Sequence, residues 1–209
     1  MLTNEQIISC LPNYGISASE MQCEQVRAYI SLLLKWNRTI SLTTVTDELE
    51  ILRFHFGESA FALSAFPGLN GRLADVGSGA GFPGLPLRIF NESVDLTLIE
   101  SNGRKCAFLA EVVRELKLTK VNVLKARFEI EQFSEALDIV VARALGKYGV
   151  LLDWSARALK PGGRIILWLG EGDAAKTASS CGWKWADPVA IPGAKRRYLL
   201  LGVPEKAAQ

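Results

Sequence analysis

The stretch "LADVGSGAGFPGLP", Leu73 to Pro86, gathers four glycines and one acid at the end of an apolar run. Gly79, Gly81 and Gly84 have the G-x-G-x-x-G spacing. After a strand and before a helix, that spacing lets backbone approach a nucleotide-like cofactor. Glycine permits both the close approach and positive φ. A dinucleotide would set its pyrophosphate against the N–H groups of such a loop. Asp75, just before the loop, would repel a diphosphate, and Pro83 removes an N–H donor from the helix start. A carboxylate there suits a ligand with a cationic end, such as the ammonium and sulfonium of S-adenosyl-L-methionine. Glu100 closes the run "VDLTLIE" roughly 20 residues beyond the loop, where an acid accepts the two ribose hydroxyls of an adenosine. NAD and S-adenosylmethionine share that group, so Glu100 supports a nucleoside without separating the two. Further on, Phe128 and Glu129 in "ARFEIEQF" could frame and hydrogen-bond an adenine.

The acceptor side is defined as much by what is missing. The run "VVARAL" lacks the Asn/Asp/Ser-Pro-Pro-aromatic motif that serves methyl transfer to exocyclic amines of DNA bases, and no cysteine in the chain follows a proline. Arg143 stands at this strand end instead. A nucleophile that arrives neutral and lone-paired, as guanine N7 does, needs no general base. Holding it in line and stabilising the base electrostatically would suffice. Arg143 could contact guanine O6 or a phosphate, or close an ordinary salt bridge. Its expected role is positioning and electrostatic, not acid–base.

These residues need a sheet to carry them. From residue 71 onward, short apolar runs alternate with amphipathic segments: "RLADVG" then "PGLPLRIF"; "VDLTLIE" then "GRKCAFLAEVVREL"; "VNVLKA" then a short segment; "LDIVVARA" then "KYGVLLDWSARAL"; "GRIILWLG" then "EGDAAKTASSC". That alternation predicts an α/β fold with a parallel sheet covered on both faces. "KPGG", Lys160–Gly163, reads as a sharp stop before the fifth strand. The tail "WKWADPVAIPGAKRRYLLLGV" reads as an antiparallel hairpin closing the sheet. Residues 1–70 read as a helical extension, 71–209 as the main domain. One helix is expected over 19–38 with Ser19 as N-cap and Met21, Val26, Ile30, Leu33 and Leu34 on its apolar face. Another is expected from Asp47 to about Ala65.

With 209 residues, 49% apolar and 22% charged, the chain has the composition of an ordinary globular protein. Four scattered cysteines and a single histidine argue against a Cys/His metal site. The amino terminus lacks the basic flank and apolar core of a signal peptide, so a cytoplasmic, monomeric protein without metal or membrane partner is expected. The net charge of +2 is uninformative, but residues 101–130 carry seven basic residues against three glutamates, a hint of a polyanion.

The segments "LLLKWNRTISLTTVTD" (32–47), "HFGES" (55–59), "DVGSGAGFPGLPL" (75–87), "VVARAL" (140–145) and "KPGGR" (160–164) together resemble the bacterial 16S ribosomal RNA guanine-N7 methyltransferases, the RsmG or GidB family. The resemblance spans nearly the whole chain. It implies a class I, Rossmann-like methyltransferase with a helical extension, S-adenosyl-L-methionine as methyl donor, and a guanine of 16S rRNA, free or in the assembling small subunit, as acceptor. By similarity Gly77, Phe82, Phe128 and Glu129 would bind the cofactor, with Arg143 lining the site. The chain departs from the family pattern at Phe54, where an arginine often precedes the histidine, and at Glu58, where an aspartate is usual. It also lacks the lysine that commonly follows the fifth strand. Lys35, Arg38, Arg53, His55, Lys147, Arg196 and Arg197 are candidate RNA contacts; His55 could equally be structural, and Trp36 is expected to pack helix against sheet. Alternatives are the same cofactor with a tRNA, protein or small-molecule acceptor, an NAD(P) oxidoreductase, and a non-catalytic RNA-binding module.

Overall fold

The structure, a computed structural model, describes residues 2–146 and 148–205. Two capping boxes start its first helices. Thr3 and Gln6 exchange side-chain and backbone hydrogen bonds at α1 (Asn4–Cys10), and Ser19 and Gln22 do the same at α2 (Glu20–Asn37). Each satisfies two of the N–H groups that a helix start leaves open. Between them a 3-10 turn, Leu11–Tyr14, redirects the chain. The buried stripe of α2 is Cys23, Val26, Tyr29, Ile30 and Leu33. It is rotated from the expected one: Met21 is 55% exposed, and Tyr29 takes the central place.

Asp47 caps the next helix by accepting the Glu50 N–H at 2.9 Å. That helix runs as α3 (Glu48–Ile51), a π-helical turn (Leu52–Gly57) and α4 (Glu58–Ala65) without leaving helical backbone. Periodicity therefore located the helix but not the wider turn inside it. At Gly57 a side chain would collide with the ring of Tyr14 from the 3-10 turn, so glycine is what lets the two segments touch.

The sheet follows the expected alternation. Its parallel strands are β1 (Gly71–Val76), β2 (Val94–Glu100), β3 (Val121–Lys125), β4 (Leu137–Arg143) and β5 (Leu159–Gly170). The intervening helices are α5 (Gly84–Phe90), α6 (Gly103–Glu115) and α7 (Tyr148–Ala158). After β5 come α8 (Glu171–Ala178), β6 (Trp183–Trp185), β7 (Val189–Ala190) and β8 (Arg197–Pro204). Strand order is β3-β2-β1-β4-β5-β8-β6, with β7 also on β8. The last three strands are antiparallel, as expected of the tail. "KPGG" is not a stop: it lies within β5, where the register with β4 shifts between Leu137 and Ile139 and Gly162 has φ +80°. The extra residues bulge out of the ladder, and the strand continues.

Strand order reverses between β1 and β4, and a doubly wound sheet binds ligands beyond the carboxyl ends of its strands at that switch. One apolar cluster unites the N-terminal helices (Tyr29, Leu33, Phe56) with that side of the sheet (Leu73, Leu96, Ile166, Trp168). The opposite side buries Val76, Ile99, Val140 and Leu167 against Leu151 and Trp154 of α7. The N-terminal helices thus sit over the sheet whose ends form the site. Gly57→Ala is expected to lower stability by about 1–3 kcal/mol, the usual cost of overpacking a filled interior. Denaturant unfolding measures it; a change within about 0.5 kcal/mol would contradict the packing of Tyr14 on Gly57.

Candidate active site

The glycine loop is tied down from two strands. Asp75, at the end of β1, is fully buried, and its Oδ2 accepts the Gly84 N–H at 2.9 Å. The Ser78 hydroxyl donates to the Asp75 carbonyl at 2.8 Å, while the Gly77 and Ser78 N–H groups donate to the Ile99 carbonyl of β2. Glu100 accepts twice, from the Gly79 N–H at 3.0 Å and the Asn102 N–H at 2.7 Å. Gly77, Gly79 and Gly81 all have positive φ, the conformation the spacing required of them. A side chain at Gly77 would strike Leu145, which follows β4.

Beyond these strand ends lies a cavity of about 270 Å³ lined by Gly77, Ile99, Glu100, Ser101, Ala126, Arg127, Phe128, Glu129 and Leu145. Four of the expected cofactor residues, Gly77, Glu100, Phe128 and Glu129, therefore meet around one space, with Gly79 hydrogen-bonded to Glu100. Phe128 is buried and packs edge-on against Trp154 at 5.7 Å, whereas Glu129 is exposed. The donor set suits a nucleoside: a strand-end carboxylate, an aromatic wall and a side-chain-free loop. Leu145 and Arg127, which also line it, carried no signal in the sequence.

Asp75 differs from the expectation drawn for it. It lies under the loop, where its first role is to anchor Gly84, and burial pushes its pKa up to about 7, with nearby Glu100 adding to the rise. The simple picture of a full negative charge facing a cation is replaced by a titratable carboxyl. Its Oδ1 is buried and has no partner among the described residues.

Phe82 and Arg143 fall on the other side of the loop, against the N-terminal helices. The Phe82 ring lies between Tyr29 (5.3 Å, nearly parallel) and His55 (4.7 Å). The Tyr29 hydroxyl donates to the Ala80 carbonyl, so the stack is pinned to the loop. His55 Nε2 pairs with the Thr43 hydroxyl at 2.8 Å. Burial, then Arg143 and Arg197, lower its pKa to about 4, which keeps the imidazole neutral at pH 7. Arg143 donates Nη1 to the Phe54 carbonyl at 2.9 Å and Nη2 to Glu58 Oε2 at 3.2 Å. The other Glu58 oxygen meets Arg197 Nη2 at 2.6 Å, and Trp168 Nε1 donates to the Glu58 carbonyl at 2.7 Å.

The expected RNA contacts divide. Lys35, Arg38 and Arg53 are exposed. Arg196 lies against Glu171 at 3.1 Å, and Arg197 is engaged with Glu58 while its guanidinium covers the Phe54 ring at 5.3 Å. Lys147 lies outside the described residues. Trp36 packs against helix α6 where the sheet was expected: it lies edge-on to Phe108, and its Nε1 donates to Glu111. Glu58, noticed in the sequence only as a departure from the family pattern, proves central. No helix among the described residues is long and apolar enough to cross a membrane.

The Asp75 carboxyl makes a signed prediction. Its folded pKa exceeds the ordinary 3.8, so the folded chain holds a proton that the unfolded chain has released, and stability is lost as pH rises from 3.8 through about 7. Asp75→Asn keeps an oxygen for Gly84 and removes that titration. Its melting temperature relative to the parent is expected to climb by several degrees between about pH 4 and about pH 8. The His55 contribution is common to both proteins and cancels. A constant offset across that interval would refute the assignment.

Comparison with known proteins supplies the lineage. The family model for GidB, rRNA small subunit methyltransferase G, matches residues 22–182. Ribosomal RNA small subunit methyltransferase G of Roseiflexus castenholzii is 37% identical over 166 residues, covering 78% of this chain and 71% of that protein. The protein of the same description from Chloroflexus aggregans is 33% identical over 216 residues, covering 95% and 89%. Among solved structures, precorrin-6y C5,15-methyltransferase from Geobacter metallireducens aligns with a TM-score of 0.57 at 16% identity, covering 79% of this chain and 91% of that one. A SAM-dependent methyltransferase from Aquifex aeolicus gives 0.57 at 19% identity, covering 72% and 90%. At such identities the structures speak for the fold, a class I methyltransferase sheet. Sequence and fold agree: this chain is an enzyme of the methyltransferase class and belongs to the rRNA small subunit methyltransferase G family.

Proposed function

We propose that the protein transfers the methyl group of S-adenosyl-L-methionine to N7 of a guanine in 16S rRNA, in the cytoplasm, by in-line attack without a general base. Gly77, Glu100, Phe128 and Glu129 would line the cofactor's cavity, with Gly79, Gly81 and Phe82 shaping the loop beside it and Asp75 anchoring that loop from below. When bound, the cofactor supplies a methyl group on a positively charged sulfur. The chain's own residues then have two tasks: to exclude water beside the loop, and to hold the guanine with its N7 lone pair aimed at that methyl.

The observation that carries the acceptor reading is the fixed guanidinium at the end of β4. Arg143 has one N–H of each terminal nitrogen occupied by the Phe54 carbonyl and Glu58, and its remaining N–H groups are free to meet an acceptor's oxygen. Guanine O6 or a flanking phosphate presents such an oxygen. N7 itself stays uncontacted, since its lone pair must attack. A guanidinium held in place stabilises the charge distribution without reorganising during the reaction. Neutral His55, stacked on Phe82, adds a flat apolar face beside it.

Two experiments test this. Calorimetry with S-adenosylmethionine and with NAD should show binding of the first alone. Mapping of N7-methylguanine in 16S rRNA from a deletion strain, with and without the gene restored, should reveal one position that depends on it; an unchanged map removes the acceptor assignment. Arg143→Ala is expected to slow single-turnover transfer by about 100-fold while changing cofactor affinity less than about threefold. Equal losses in both would contradict a positioning role.

A further inference from the structure

The helix over Glu48–Ala65 changes its hydrogen-bond pattern in the middle, at Leu52–Gly57. A π turn carries one residue more than an α turn, which takes a carbonyl out of the helical ladder. Here the Glu58 N–H reaches back five residues to the Arg53 carbonyl. In an α-helix its partner would be Phe54, four residues back. The carbonyl so released is the one that accepts Arg143 Nη1. The extra residue also advances all that follows by about 100° around the axis, and Glu58, the first residue after the turn, takes Arg143 Nη2. Both terminal nitrogens of Arg143 are thus held by two groups whose joint placement the π turn creates.

The energetics favour a firm hold. Glu58 is 1% exposed, and a carboxylate buried that deeply without partners would be strongly destabilising. Burial raises its pKa on balance, and Arg143 and Arg197 oppose that rise. Each of its carboxylate oxygens has a guanidinium partner, so the pair resists rotation about either side chain.

We propose that Glu58, together with the Phe54 carbonyl released by the π turn, is the positioning unit that orients Arg143 for methyl transfer. The inference rests on the role assigned to Arg143 above. The N-terminal helices, and not the sheet that bears Arg143, set the plane of its guanidinium.

Glu58→Gln keeps the shape and one acceptor oxygen but loses the charge; Glu58→Asp keeps the charge and shortens the reach. Each is measured for thermal unfolding, S-adenosylmethionine affinity and single-turnover methylation of small-subunit particles, in the parent and in Arg143→Ala. Glu58→Gln is expected to slow transfer at least about tenfold with cofactor affinity changed less than about twofold. In Arg143→Ala the same substitution is expected to add no further loss, because residues that act through one another are not additive. An unchanged rate, or an equal loss in both backgrounds, overturns the proposal. If Glu58→Gln does not fold, Glu58→Asp decides by the same criteria, since it retains the buried charge. Rescue gives an independent readout: guanidinium ion added to Arg143→Ala should restore part of the rate when Glu58 is present and none with Glu58→Asp. Should Arg143→Ala itself leave the rate intact, the role of Arg143 fails, an outcome distinct from failure of Glu58.

Discussion

A carboxyl buried in an apolar interior must either keep its proton or be paired with opposite charge. Glu58 takes the second course, paired with Arg143 from β4 and Arg197 from β8, while Trp168 from β5 holds its backbone carbonyl. The helix bearing Glu58 therefore cannot drift from the sheet without exposing an unpaired charge to apolar packing. The stack of Tyr29, Phe82 and His55 gives a second attachment to the same region. Between them these contacts decide how the helical extension lies over the glycine loop.

The cofactor side depends on the opposite arrangement. There the groups are backbone N–H donors and carbonyls, fixed by Asp75 and Glu100 across the ends of β1 and β2. Glycine at 77, 79 and 81 keeps that surface free of side chains. Under the proposed function these are two unlike walls: the rigid backbone would meet the cofactor's nucleoside, and the fixed ion pair an oxygen of the base or phosphate. Methyl transfer needs both walls, because reactants held in line avoid most of the entropic cost of encounter.

Much of this was legible in the residues. Strand–helix alternation placed the five parallel strands, the glycine spacing placed the loop, and Glu100, Phe128 and Glu129 converge as their positions at strand ends implied. Ser19 announced its helix through its cap. What was not legible depended on contacts between distant segments. "ELEILRFHFGESAFALSA" carries no local mark of a π turn; the turn is sustained by Arg143 on the Phe54 carbonyl and by Tyr14 against Gly57, both remote in sequence. Asp75 was assigned by charge, yet burial shifted its titration and a backbone N–H claimed one of its oxygens. "KPGG" was read as punctuation because Pro and Gly usually end strands, whereas a register shift lets β5 absorb them. Met21 fitted the spacing of the α2 stripe, but Tyr29, with its ring on Phe82, fixed which face turned inward.

The place of β8 in the sheet carries one more consequence. It lies between β5 and β6 although it is the last of the described strands, and Arg197 at its start is one of the two guanidiniums on Glu58. During synthesis from the amino end, Glu58 emerges long before its second cation. Until β8 is made and slots beside β5, the helix that carries Glu58 lacks one of the partners that hold it over the sheet. Glu58 therefore gains its second guanidinium only once the segment of β8 has been made.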